Sequence, residues 1–203
     1  VTNDLKAFQA AVAAVAKNGT VWVPAGKYIL DVSSTNSIAL KSDMKFVMDP
    51  NAILMVKPNA LTRYYLISVS NASNVEISGG QLFGDRANHL GTTGEWGFGI
   101  RLGAGAQHIK IHDMKISDMW GDGICTGGYP DDVVMQHLLV TNNRRQGLSI
   151  TTGTNIQVLD SEFSFTNGTK PEYGIDIEPD GAANGAYANN ILIQVNYFHD
   201  NRA

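Results

Sequence analysis

Three short segments of the chain repeat one pattern: Gly123-Ile124-Cys125-Thr126-Gly127, Gly147-Leu148-Ser149-Ile150-Thr151 and Gly174-Ile175-Asp176-Ile177-Glu178. Each runs glycine, apolar, small or polar, apolar or threonine, small or polar, and the leading glycines are 24 and 27 residues apart. Self-similarity at that period means stacked units, each burying its apolar side against its neighbours. Stacking puts Cys125, Ser149 and Asp176 in one column and Gly127, Thr151 and Glu178 in the next. Of the three copies, the last alone fills both columns with carboxylates.

The rest of the chain follows the same plan. Val75-Glu76-Ile77, Ile109-Lys110-Ile111, Val133-Val134-Met135, Ile156-Gln157-Val158 and Ile191-Leu192-Ile193 take equivalent places in repeats 23 to 35 residues apart. Most lead into a second apolar strand, such as Met114-Lys115-Ile116 or Leu138-Leu139-Val140. Two-residue Asn-Gly turns between longer strands, the mark of a hairpin meander, are not the rule. Short alternating strands joined by bends predict an all-β fold, a single-stranded parallel β-helix in which each coil stacks on the last. One helix precedes it: Leu5, Phe8, Val12 and Val15 recur at helical spacing, Thr2 or Asn3 caps the start, and Asn18-Gly19 supplies the stop. The expected organisation is a single domain over 1–203, with a helix cap at 3–18 and coils at 19–203, truncated at both ends. The longer repeats carry insertions at 85–98, 167–173 and 181–189. In solenoids such insertions collect on one face and form a binding rim.

Composition narrows the partners. The formal charge is −4 and the basic residues are scattered, which lacks the electrostatic footprint of a nucleic-acid binder. One cysteine excludes an internal disulfide, and no Cys/His pair at ligand spacing supports structural zinc. No apolar run has the length that crosses a bilayer as a helix, so membrane insertion is not expected.

Alternation assigns the sides. Ile100, Leu102, Ile124, Thr126, Leu148, Ile150, Ile175 and Ile177 point into the coil; Arg101, Cys125, Ser149 and Asp176 point out, with Gly127, Thr151 and Glu178 beside them. A one-residue slip would bury both acids, so the register is well specified. Asp176 and Glu178 then share one face, about 6.5–7 Å apart along the chain. Their carboxyl groups can span the short separation of retaining glycosidases, about 5 Å, or the inverting range of about 6.5–9.5 Å. Solvated surface acids are the plain alternative, but acids stacked over small residues face an open groove. Asp122 is a third candidate carboxylate, or an Asp-Gly turn residue bonding its own backbone. Arg144 and Arg145, one coil from Tyr173, can grip an acidic sugar bidentately or pair with Glu172. Arg101 either neutralises a substrate carboxylate or is solvated. Tyr173 and Trp120 are the candidate aromatic platforms for sugar rings. His112 and His137 read as surface hydrogen-bonding residues, and Asn142-Asn143 and Asn189-Asn190 as side-chain ladders at coil corners.

Asn3-Asp4-Leu5 with Phe8-Gln9-Ala10-Ala11-Val12, followed by Gly19-Thr20-Val21-Trp22-Val23-Pro24-Ala25-Gly26-Lys27-Tyr28, resembles the N-terminal signature of the pectate-lyase-like right-handed parallel β-helix superfamily. The resemblance covers essentially the whole chain and implies a helix that caps the open end of the solenoid, shielding a strand edge. Its members include polysaccharide lyases, glycoside hydrolases, uronan epimerases and phage tailspikes. It therefore implies a polysaccharide partner and an extracellular or virion-associated setting. Tyr173-Gly174-Ile175-Asp176 is similar to the Tyr-Gly-Phe-Asp of mannuronan C-5-epimerases. Those enzymes continue Pro-His-Glu, with the histidine catalytic, whereas Ile177-Glu178-Pro179 follows here, and a carboxylate stands in the histidine's place. The expected function is glycoside hydrolysis of an extracellular or bacterial surface polysaccharide by Asp176 and Glu178, without a cofactor. The alternatives are an epimerase-like enzyme, or a lyase in which Arg or Tyr removes a proton while Asp176, Glu178 and Asp180 hold calcium. A third is a tailspike segment that binds glycan without cutting it and assembles as a homotrimer.

Overall fold

The computed structural model describes residues 3–179 and 185–203. The strands are all parallel and wind in coils. A six-stranded front sheet comprises Ile38–Leu40, Arg63–Val69, Trp96–Leu102, Asp122–Thr126, Gln146–Ile150 and Ile175–Ile177, stacked in chain order. A twelve-stranded sheet wraps the remaining sides. In that second sheet Val75, Ile109, Val133, Ile156 and Ile191 pair in register from coil to coil, and Ile116, Val140, Phe163 and Phe198 form the next ladder. These are the equivalences that the sequence repeat requires.

The bends between strands have a common chemistry. Asn18, Asp43, Asn74, His108, Asp132, Asn155 and Asn190 occupy one corner in successive coils, and each holds φ between 53° and 60°. Asn and Asp adopt this left-handed conformation more readily than other side-chain-bearing residues. Side chains lace the column together: Asn74 Nδ2 donates to Asp43 Oδ1 at 2.8 Å, and Asn190 Nδ2 to Asn155 Oδ1 at 2.6 Å. A second corner, at Asp113, His137 and Asp160 (φ 54°, 52° and 44°), bends the long strands Gln107–Ser117 and Asp131–Thr141 between two faces. His112 and His137 both hydrogen-bond Asp113 on this surface. Asn142 joins a third corner ladder through Asp118, whereas Asn143 is buried and accepts a bond from the Met119 N–H.

Inside the coil, like stacks on like. Ile100, Ile124 and Leu148 follow one another in register, as do Leu102, Thr126 and Ile150, and all six are fully buried. Each aliphatic member contributes about 2 kcal/mol of burial. Thr126 Oγ1 satisfies itself on the Thr152 carbonyl at 2.9 Å.

The helix covers the first coil but is shorter than the periodicity predicts. It spans Leu5–Ala14, burying Leu5, Phe8 and Val12. Asn3 Oδ1 accepts from the Leu5 N–H at 3.1 Å; Thr2 lies outside the described residues. The helix ends before residue 18 because Val15 turns extended (ψ 134°) while its N–H still bonds Ala11 O. Three residues later the Asn18 N–H donates to Asp43 O, so the coil's own ladder takes over the chain. Among the described residues no helix is long and apolar enough to cross a membrane.

Candidate active site

The front-sheet register aligns Arg101, Cys125, Ser149 and Asp176 in one outward column. Backbone bonds from Gly127 to Leu102, Thr151 to Thr126 and Glu178 to Ile150 continue the ladders and align Gly127, Thr151 and Glu178 beside it. A cleft of about 550 Å³ opens over the last of these coils, lined by Glu95, Arg145, Lys170, Tyr173, Asp176 and Glu178. The structure thus brings together four of the residues that sequence spacing singles out: Asp176, Glu178, Tyr173 and Arg145.

Asp176 is held from the side. Gln146 Nε2 donates to its Oδ2 at 2.8 Å, and Gln146 itself is buried. The Glu178 carboxylate is exposed and makes no hydrogen bond among the described residues. The cleft therefore presents one fixed and one free carboxylate.

Asp122 lies beneath this floor instead of lining it. It is fully buried and accepts from Ser149 Oγ at 2.7 Å and from Arg145 Nη1 at 3.1 and 3.3 Å. Burial pushes its carboxyl up to about 7, against the opposing pull of Arg145 and Ser149. Arg145 also approaches Glu95, with Nε 3.6 Å from Oε2. Its partner is thus Asp122 and not Glu172, which accepts from the Gly168 N–H at 2.6 Å and lies 3.5 Å from Arg202.

Arg144 and Trp120 are placed differently from the sequence-based expectation. Trp120 is only 9% exposed, and its Nε1 donates to Thr93 O at 3.3 Å. His89 stacks on it at 3.9 Å between ring centroids, and the Arg144 guanidinium sits over its ring at 3.8 Å. Arg144 Nη1 donates to the carbonyls of Gly94 and Trp120 at 2.8 and 3.2 Å. Trp120 is a buried anchor for the 85–98 insertion, and Arg144 clasps that insertion instead of pairing with Arg145 across the cleft. The other anchor is Asp85, buried, which accepts from Tyr64 OH at 2.7 Å and from Asn59 Nδ2 at 3.1 Å and bonds His89 Nδ1 at 2.8 Å. Burial, with the Asp85 charge beside it, holds the Tyr64 hydroxyl well above its ordinary pKa.

Arg101 stands three coils from Asp176, about 14 Å at the spacing of neighbouring strands. Its Nη1 donates to the carbonyls of Leu102 and Gly127. A Cβ on Gly127 would sit 2.7 Å from Arg101 Nη2, so that column keeps a glycine where the guanidinium lies flat. Cys125, between them, is buried, and burial raises its thiol to about 12.

Three residues of the site carry no motif in the sequence. Glu95 and Lys170 belong to the insertions 85–98 and 167–173, whose position as a rim was the only signal for them. Gln146 sits two residues before Leu148, and its role follows from a diagonal between coils that a column alignment does not draw. Among the described residues no group of three or more His, Cys, Asp and Glu side chains is arranged to hold a metal; Asp180, the third ligand of the calcium reading, lies outside the described residues.

The chain is 32% identical to the Bacillus subtilis (strain 168) protein YclG over 212 residues, a match to 90% of this chain and 36% of that protein. It spans about a third of the length of the curated relatives it matches. Among solved structures, the A-module of the Azotobacter vinelandii mannuronan C-5 epimerase AlgE6 superposes with a TM-score of 0.78 at 17% identity, covering 99% of this chain and 53% of that one. The catalytic unit of a Streptomyces thermodiastaticus α-1,3-glucanase gives 0.55 at 16%, covering 98% and 44%. At these identities the two structures share the fold with this chain. The family model for the right handed beta helix region matches residues 33–203; with coils that stack in register over the same span, the chain belongs to the right-handed β-helix family.

Proposed function

We propose that the protein cleaves a polysaccharide by glycoside hydrolysis, with Asp176 and Glu178 as the two catalytic carboxylates. The observation that carries this reading is that both acids, one in the strand Ile175–Ile177 and one just past its end, open into the same cleft beside Tyr173. One carboxyl group protonates the glycosidic oxygen while the other attacks the anomeric carbon or takes a proton from the attacking water. The remaining negative charge faces the developing oxocarbenium ion and stabilises it. Asp176, fixed by Gln146, suits the nucleophile or base, which needs a set trajectory. Glu178, which makes no side-chain bond among the described residues, supplies the second carboxyl group. Tyr173 and Lys170 border the bound sugar, and Arg145 and Asp122 support the floor. The fold neighbours named for mannuronan epimerisation and α-1,3-glucan cleavage are consistent with a polysaccharide substrate. Glu178 in place of the epimerase histidine favours hydrolysis.

The lyase alternative needs a base for the proton beside a uronate carboxyl. Arg145 is poorly suited, because although burial disfavours its charge, Asp122 and Glu95 together outweigh this and make it hold its proton more tightly than usual; Tyr173, 42% exposed at the cleft, is the candidate. Incubation with neutral, uronate-containing and bacterial surface polysaccharides, following reducing ends and ultraviolet absorbance together, separates the two. New reducing ends without absorbance are expected, and Asp176→Asn and Glu178→Gln should each lower the rate at least about 100-fold with unchanged thermal unfolding. Retained cleavage in either variant removes the assignment, and unsaturated products shift it to the lyase.

A further inference from the structure

We propose that Tyr129 and Tyr187 form a second sugar-binding subsite, on the rim of the front sheet opposite Tyr173, that stacks on a pyranose ring of the polysaccharide held over Asp176 and Glu178. The proposal rests on the reading of that cleft as a glycan site.

The two rings come from different coils and meet outside the core. Their centroids are 5.0 Å apart with planes tilted by 45°, and the residues are 44% and 43% exposed. Neither belongs to the packed interior, so their contact covers only part of each ring and leaves aromatic faces in water. Their position follows from the ladders. Tyr129 comes two residues after Gly127, and its N–H donates to Thr152 Oγ1 at 2.9 Å on the next coil. The Tyr187 carbonyl accepts from the Gly153 N–H at 3.0 Å. Both tyrosines therefore stand at the corner that follows the Gly127, Thr151 and Glu178 column.

The backbone at Tyr129 is held in an uncommon conformation. Gly128 has φ 82° and Tyr129 φ 61°, a region that bulky residues rarely occupy. The bond to Thr152, itself buried, fixes it there, and the side chain is carried outward at the rim.

The occupant is argued from continuity with the cleft. Tyr129 lies four residues beyond Cys125, whose column contains Asp176, so it is at most about 13 Å further along the coil. A pyranose ring presents a face of C–H bonds rimmed by hydroxyls. A tyrosine ring offers the complement to that face of C–H bonds, a flat apolar surface. A polymer lying across the front sheet from Tyr173 past the two acids reaches this pair, whereas a short oligosaccharide held at the acids does not.

The test combines Tyr129→Ala and Tyr187→Ala with the corresponding Phe substitutions. Each protein is run through native gels containing dextran, laminarin, galactomannan, polygalacturonate or alginate, and assayed on the retarding polymer and on its shortest cleaved oligosaccharide. The expected result is weaker retardation and a KM for polymer raised about 3- to 10-fold by each Ala variant. The kcat, the constants for the short substrate and the melting temperature should stay unchanged, and the Phe variants should behave as the parent. Cleavage with unaltered polymer KM in both Ala variants overturns the subsite and leaves the hydrolase reading standing. Retardation that depends on the tyrosines without any cleavage supports the subsite and overturns the hydrolase reading. Neither retardation nor cleavage of any polymer overturns both.

Discussion

Gln146 reaches diagonally across one coil step and donates a 2.8 Å hydrogen bond to Asp176 Oδ2. Because the glutamine is buried, its own rotamer is fixed by packing, and the carboxylate it holds inherits that order. Its other amide atom, Oε1, is buried without a partner among the described residues, an arrangement that costs stability and marks the donor end as the one that matters.

Replacing this donor should affect rate and not binding. Gln146→Leu keeps the volume and removes the bond, leaving Asp176 to sample several orientations. On a substrate that the parent cleaves, kcat is expected to fall about 10- to 100-fold, as small misplacements of reacting groups do, with KM unchanged. A changed KM at constant kcat would place Gln146 in substrate binding instead.

The buried Asp122 should give the chain a pH-dependent stability of unusual sign. In the folded protein it keeps its proton up to about 7, whereas an unfolded Asp loses it near 3.9. Between these limits the folded state binds more protons, so this group's contribution to stability declines as pH rises from about 4 through 7. Asp122→Asn removes that slope. Urea denaturation at pH 5 and pH 8 should show a smaller difference for the variant than for the parent; equal differences would mean that Asp122 is ionised throughout.

The 85–98 insertion depends on Asp85. Its removal leaves the buried Tyr64 hydroxyl without its acceptor, takes one of two bonds from the half-buried Asn59 Nδ2 and frees His89 from its partner. Asp85→Ala is expected to cost about 3 kcal/mol, measured by urea denaturation. Trp120, which packs on His89, should change its fluorescence in the native baseline. A loss well under 1 kcal/mol would show that the insertion is anchored elsewhere.

The fold was legible because a β-helix writes its register into the chain. The spacing of Gly123, Gly147 and Gly174 set the coil length, and alternation around Asp176 set its face. Local detail was harder. The helix stops at Ala14 and not near Gly19 because Val15 and Asn18 are claimed by contacts from the coil below, which helical periodicity cannot register. At the site, residues in or next to the repeat were readable, Tyr173 included, and residues further out on the insertions were not. Asp176 and Glu178 fall in columns fixed by the repeat. Glu95 and Lys170 arrive on irregular segments folded back by Asp85 and Arg144, through contacts far apart in sequence. Trp120 illustrates the reverse error: an aromatic at a corner reads as a platform until the segment that covers it is seen.

Ser149 and Thr151 occupy, one coil away, the same two squares that Asp176 and Glu178 fill. A front sheet of this kind works as a board ruled by its backbone, on which position is given by coil and place. Moving an acidic pair from one rank to the next takes four substitutions within the same ruling, and an acid at 149 would face the buried Asp122 that Ser149 now bonds, so each rank sets its own limit on where such a surface can carry charge.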